Sequence, residues 1–179
     1  MTDDTVRAAR TALACLDLTS LDEADDEAAI ERLCARAVGP HGTVAAVCVW
    51  PRLAAFARAR LPAAVAVAAV ANFPDGSTDL ERAVRETRAI VAAGAQEVDL
   101  VLPWRAFAAG DASTCAALLT AVRRACEGRV LKVILESGEL QDPALIRRAS
   151  DLALDAGADF LKTSTGKTPT GATLAAARV

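Results

Sequence analysis

Short, nearly continuous apolar runs alternate along this chain with longer stretches in which apolar positions recur at helical spacing. The runs that read as strands are Ala12–Leu16, Thr43–Val49, Val65–Ala71, Glu97–Leu102, Val130–Leu135 and Asp159–Lys162. Polar residues rarely interrupt them, as expected for a parallel sheet covered on both faces. Between them lie amphipathic stretches over Asp25–Ala37, Arg52–Leu61, Leu80–Ala92, Thr114–Glu127 and Asp142–Asp155. Their ends carry helix signals. Asp142 can cap a helix with Pro143 at its first position, and Gly94, Gly128 and Gly157 sit just past helix ends. Strand–helix alternation predicts right-handed βαβ units and an α/β fold. No linker or low-complexity segment divides the chain, so residues 1–179 read as one domain.

A weak internal repeat separates a barrel from an open sheet. Ala93-Gly94-Ala95-Gln96-Glu97-Val98-Asp99 parallels Ala156-Gly157-Ala158-Asp159-Phe160-Leu161-Lys162, each a helix end, a Gly-Ala turn and a strand. Asp99 and Lys162 therefore occupy equivalent places on the fourth and sixth strand-like runs. In a (β/α)8 barrel, alternate strands supply the side chains of one interior layer, so this acid and this amine would face each other. Unlike charges in a packed interior are costly unless they are paired or used for chemistry. A structural ion pair is the alternative that spacing alone leaves open.

Composition narrows the function classes. A chain of 179 residues with 53% hydrophobic residues has ample material for a core, whereas aromatic residues make up only 3% and Tyr is absent. Recognition by stacked rings, as in single-strand nucleic-acid binders, is disfavoured. The net charge of −3 argues against nucleic-acid or anionic-membrane partners, so a bound anion must be met by a local site. The acidic start, Met1-Thr2-Asp3-Asp4, has no apolar signal region, and no apolar run is long enough to suggest a membrane span. Cysteines 15, 34, 48, 115 and 126 form no C-x-x-C pair, and His41 is the one histidine, which excludes the usual zinc spacings. Reduced thiols in a cytoplasm are the expectation, with each cysteine packing as a small hydrophobe.

The segment that stands out chemically is Phe160-Leu161-Lys162-Thr163-Ser164-Thr165-Gly166-Lys167. A lysine that forms a Schiff base must lose its proton near neutral pH, and lowering a lysine pKa by ~3 units costs roughly 4 kcal/mol. A barrel interior supplies that through desolvation or a neighbouring cation. Lys162 sits where an apolar strand yields to hydroxyl residues, the C-terminal strand end at which catalytic groups of barrels gather. Gly166 allows close backbone approach and Lys167 could meet a phosphate, although an ordinary polar loop has the same composition. Gly166-Lys167-Thr168 is not a P-loop tail, because that pattern needs glycine where Leu161 stands.

Taken together, these motifs resemble the deoxyribose-phosphate aldolases, Schiff-base (class I) aldolases. The Lys162 segment is similar to their reactive-lysine segment. The resemblance runs on through Glu97-Val98-Asp99-Leu100-Val101-Leu102-Pro103-Trp104-Arg105 and Leu131-Lys132-Val133-Ile134-Leu135-Glu136-Ser137-Gly138-Glu139-Leu140. It also covers Leu16-Asp17-Leu18-Thr19, Val47-Cys48-Val49-Trp50-Pro51-Arg52 and Ala71-Asn72-Phe73-Pro74, in the family's order. The resemblance implies a (β/α)8 (TIM-barrel) lyase that needs no metal or other cofactor. Its reaction joins acetaldehyde and glyceraldehyde 3-phosphate reversibly into 2-deoxyribose 5-phosphate, in deoxyribonucleotide catabolism. On that pattern Lys162 forms the imine and Asp99 belongs to the acid–base set. Asp17 and Thr19 match positions near the substrate hydroxyls; Thr165, Gly166 and Lys167 match the loop that begins the phosphate side. Lys132 and Cys48 match interior positions near the reactive lysine, where a packing role is equally open.

The resemblance also implies parts beyond Val179: a second lysine on the seventh strand and glycine-rich phosphate loops after strands seven and eight. The expectation is thus an incomplete barrel with about six of eight βα units and weak or no activity alone. Association through exposed sheet edges or as a homo-oligomer is expected. A non-catalytic remnant or assembly module of the same fold is the alternative.

Overall fold

The computed structural model describes residues 2–179. In chain order the elements are α1 (Asp3–Ala14), β1 (Asp17–Thr19), α2 (Glu27–Arg36), β2 (Val38–Gly39), β3 (Gly42–Thr43), β4 (Ala46–Val49), α3 (Ala54–Arg60), β5 (Ala66–Ala71) and α4 (Leu80–Ala92). They continue with β6 (Glu97–Val101), α5 (Trp104–Ala108), α6 (Ala112–Ala125), β7 (Val130–Ile134), α7 (Ser137–Leu140), α8 (Pro143–Asp155), β8 (Phe160–Lys162) and α9 (Leu174–Ala177). Six strands form one sheet in the order β1-β4-β5-β6-β7-β8, which is sequential, while β2 and β3 make a separate antiparallel hairpin. The fold is α/β, as the alternation predicts, and its sequential strand order is that of the barrel type to which the internal repeat points.

Two compact units are distinguishable. The first runs to Ala69 and includes Ala92–Glu97; the second comprises Val70–Val91 and Val98–Val179. In the first, β1 pairs in parallel with β4 (Asp17 beside Ala46, Thr19 beside Cys48), and β4 with β5 (Ala46 beside Ala66). Its core joins Val47, Val49 and Val67 of the strands to Ile30 and Leu33 of α2 and Ala57 of α3, all buried. In the second, β7 pairs in parallel with β8 (Lys132 beside Phe160, Ile134 beside Lys162). Here Val98, Leu100, Leu131 and Val133 are buried, as are Leu118, Leu119 and Val122 of α6 and Ile146 of α8. Each such side chain contributes about 1.5–3 kcal/mol by leaving water.

Two predicted strands are corrected. Ala12–Leu16 is not a strand: residues through Ala14 belong to α1, and the strand begins at Asp17. Val6, Ala9 and Leu13 keep helical spacing, the Thr2 hydroxyl accepts the Thr5 N–H at 3.3 Å, and Asp3 and Asp4 favour the positive end of the helix dipole. Thr43–Val49 divides into a hairpin end and β4, because the backbone changes partner between them: the Val44 N–H donates to the Ala37 carbonyl and the Ala45 N–H to that of Leu16, both at 3.0 Å. Elsewhere the signals hold. Asp142 caps α8 by accepting the Ala144 N–H, with Pro143 in the first turn, and α4 spans the predicted residues. Helices α5 and α7, of five and four residues, are too short for a periodic pattern to reveal them.

Candidate active site

Lys162 is the last residue of β8 and Asp99 lies in the middle of β6. Their side chains meet: Lys162 Nζ donates to Asp99 Oδ2 at 2.5 Å. Asp99 is fully buried, whereas the Lys162 side chain is 28% exposed, so the acid is dry and the amine remains reachable. Strand geometry explains the meeting. In the sheet order β7 lies between their strands, and side chains of alternate barrel strands share a layer. The parallel register sets Lys132 beside Phe160, which puts Lys132, Phe160 and Lys162 on one face because strand side chains repeat every second residue. Lys132 is buried, with its ammonium 5.9 Å from the Phe160 ring centroid.

The loop after β8 carries Thr165, Gly166 and Lys167. The Thr165 hydroxyl donates to Glu136 Oε2 at 2.5 Å and accepts the Lys167 N–H at 3.0 Å. Gly166 takes φ +75°, and Lys167 is exposed. Asp17, Thr19 and Cys48 belong to the first unit. There the register places Thr19 beside Cys48, and the period of two sets Asp17 on the same face of β1 as Thr19. Cys48 is buried, Asp17 half-buried and Thr19 exposed; the Thr19 hydroxyl donates to the Asp17 carbonyl at 3.0 Å.

Two polar residues inside the family motifs carry no role that the sequence shows. Asn72, buried at φ +55°, donates to the carbonyls of Ser77 and Val101 and accepts from the Ser77 N–H and hydroxyl, pinning the loop after β5. Glu136, fully buried at φ +56°, is the second. The signal available for both was a polar residue directly after an apolar strand. Of the other thiols, Cys15 is exposed, contrary to the packing expected of each cysteine, whereas burial pushes the Cys115 thiol up to about 11 and raises those of Cys34 and Cys126.

A buried carboxylate in contact with a reachable lysine at the end of a strand suits Schiff-base chemistry, and comparison with known proteins supplies the family. The model of the DeoC/LacD family aldolases matches residues 11–179. This chain belongs to that family. It is 51% identical over 175 residues to a deoxyribose-phosphate aldolase of Agrobacterium fabrum, covering 96% of this chain and 68% of that protein. A crystal structure of a putative deoxyribose-phosphate aldolase from Toxoplasma gondii superposes with a TM-score of 0.90 at 29% identity, over 99% of this chain and 72% of that one. The tetrameric deoxyribose phosphate aldolase of Aeropyrum pernix matches with a TM-score of 0.72 at 26% identity, over 88% and 66% respectively. As a family member the chain is an aldolase, a lyase. No helix among the described residues is long and apolar enough to cross a membrane.

Proposed function

We propose that this aldolase cleaves 2-deoxyribose 5-phosphate reversibly to acetaldehyde and glyceraldehyde 3-phosphate through an imine on Lys162. The observation that carries the reading is the 2.5 Å contact between Lys162 and the buried Asp99. Lys162 must pass on a proton before its amine can attack, and Asp99 Oδ2 lies within transfer distance. The amine then adds to C1 of the open-chain sugar. The resulting carbinolamine takes up a proton, which Asp99 can return, and loses water to give the iminium. Removal of the proton from the C3 hydroxyl lets the C2–C3 bond break. Its electrons pass into the iminium, leaving an enamine on Lys162 and releasing the phosphorylated aldehyde. Protonation of the enamine carbon and hydrolysis give acetaldehyde and free lysine.

Lys167 and Gly166, with Thr165, are assigned to the phosphate side; Lys132 lies on the face of Lys162, where its cation can act on the reactive amine. Asp17 and Thr19 are assigned to the sugar hydroxyls and Cys48 to the surroundings of the lysine, by the motif correspondence. Residues 1–179 are read as parts of one aldolase domain, supported by a family match that spans both compact units without a break. A homo-oligomer is the proposed working state, supported by the tetrameric relative, and the cytoplasm the proposed compartment.

Borohydride reduction in the presence of acetaldehyde, followed by peptide mass spectrometry, tests the assignment. Lys162 should be labelled in preference to Lys132 and Lys167, and the adduct should vanish in Lys162→Ala. Equal, slow labelling of all three lysines would overturn the reading.

A further inference from the structure

Beyond the last residue of β7, two backbone bonds continue its pairing with the chain that follows β8. The Leu135 N–H donates to the Lys162 carbonyl at 2.9 Å, and the Ser137 N–H to the Thr163 carbonyl at 2.8 Å. Glu136 lies between them in the left-handed region, with φ 56° and ψ 54°, a conformation that bulky L residues rarely adopt. That turn ends the strand and carries the carboxylate to the loop. Glu136 Oε2 accepts the Thr165 hydroxyl at 2.5 Å, and both carboxylate oxygens lie near the Thr165 N–H, at 3.2 and 3.4 Å. With its proton committed to Glu136, the Thr165 oxygen is turned to accept the Lys167 N–H at 3.0 Å. A relay of hydrogen bonds thus runs from a fully buried carboxylate to the backbone of the exposed lysine.

The neighbouring residue adds an independent seat for the same loop. At Gly138 a Cβ would collide with the carbonyl oxygen of Thr170, so the 136–138 segment and the 165–170 loop touch at two points. A buried carboxylate is costly unless donors satisfy it, and here the donors it accepts from are the N–H and hydroxyl of one threonine. The carboxylate stands behind a loop assigned to an anion, where its charge repels and only its power to orient donors helps.

We propose that Glu136 is a positioning residue for phosphate recognition. Acting through Thr165, it holds the Lys167 backbone in one pose and so sets the preference for phosphorylated over unphosphorylated sugars, leaving imine formation at Lys162 unchanged. This rests on the reading above, in which Lys162 forms the imine and Lys167 meets the phosphate.

The test uses the whole chain and the variants Glu136→Gln, Thr165→Val and Thr165→Ser. Glutamine keeps the shape but removes the charge that strengthens both bonds; valine removes the hydroxyl from the other partner; serine retains it. Loss of one charge-assisted bond corresponds to about a tenfold change in the equilibrium it supports. Hydrogen exchange at the Thr165 and Lys167 amides should therefore quicken about tenfold in Glu136→Gln and Thr165→Val, and stay at the wild-type rate in Thr165→Ser. In borohydride trapping at Lys162, the half-saturating concentration of 2-deoxyribose 5-phosphate should rise by about tenfold in the first two variants. That of unphosphorylated 2-deoxyribose should move by less than about twofold in Glu136→Gln, a split that general loosening of the fold does not produce. Equal loss with both sugars would make Glu136 merely structural and overturn the proposal; so would no loss with either. Should Glu136→Gln fail to fold, Glu136→Asp, which draws the carboxylate back from the Thr165 hydroxyl, gives the same comparison. Failure of wild-type Lys162 to trap either sugar would remove the functional reading itself, together with this proposal. Normal wild-type trapping that Glu136→Gln leaves unchanged would remove the proposal alone.

Discussion

The turn that leads into β6 and the turn that leads into β8 are built alike, but the strands they start carry opposite chemistry. At the first, Gln96 accepts the Val67 N–H through its side chain at 2.8 Å and returns its own N–H to the Val67 carbonyl at 3.0 Å. At the second, Asp159 treats Leu131 in the same way, at 2.8 and 2.8 Å. An arginine from an earlier helix braces each turn. Arg58 donates to Gln96 and to the carbonyls of Leu61, Pro62 and Val65. Arg123 donates to Asp159 and to the carbonyls of Cys126, Arg129 and Gly157. Five residues beyond the glycines, one strand presents the buried acid Asp99 and the other the reachable amine Lys162. The strand starts carry repeated structural hardware, and the positions five residues past the glycines carry what differs: Asp99 in the middle of β6 and Lys162 at the end of β8.

That comparison breaks most visibly at the Asp99–Lys162 pair. Asp99→Asn should slow Lys162 trapping by about 10²–10⁴-fold, the usual effect of losing an acid–base group. Its denaturation midpoint should move far less than the arginine variants move it. Rate measurements and urea unfolding on one preparation separate the two effects; a normal trapping rate would mean that the pair is only structural.

At the strand starts the effect should be on stability. Arg58→Ala and Arg123→Ala each remove charge-assisted bonds to carbonyls that terminate helices, and each should cost about 2–4 kcal/mol by urea denaturation. The folded fraction should still label at Lys162 at the wild-type rate. A loss of labelling without a loss of stability would contradict the division.

A smaller effect is expected at the paired glycines. Gly94 and Gly157 hold φ +84° and +90°, so alanine at either should cost about 1–2 kcal/mol. Gly157→Ala should be the worse of the two, since a new Cβ would lie 3.2 Å from Arg123 Cδ there, against 3.7 Å from Arg58 Cγ at Gly94. The thermal midpoints of the two variants give the order directly. The smallest change should come from Asp159→Asn, which converts the second turn to the uncharged form of the first. The Asp159 side chain is 47% exposed, so its ion pair with Arg123 is worth less than about 1 kcal/mol, and salt should erase the difference.

The repeat that made Asp99 and Lys162 equivalent was visible in the chain because helix end, glycine turn and strand recur at fixed spacing. The same repeat held Gln96 and Asp159 at matching positions, yet it gave no hint of the arginines. Arg58 and Arg123 lie 38 and 36 residues before their partners, inside helices where an arginine ordinarily reads as a solvated face. Glu136 is a similar case: its partner Thr165 is 29 residues away, and its left-handed backbone has no local sequence signature such as glycine would give. The Ala12–Leu16 run misled for a related reason, since a short apolar segment fits either a strand or the last turn of a helix until its neighbours are placed.

The sequence by itself determined the strand–helix alternation from β5 onward, the cap at Asp142, the glycine turns, the family, and the two residues that meet. Each rests on local physics: apolar periodicity, side-chain capping, the conformational freedom of glycine, or a motif of adjacent residues. Tertiary structure alone decided that Lys162 Nζ lies 2.5 Å from a fully buried Asp99, that paired arginines brace the strand starts, and that Glu136 reaches Thr165. Those are contacts between residues tens of positions apart. They exist only once parallel strands are in register, and no local pattern encodes them.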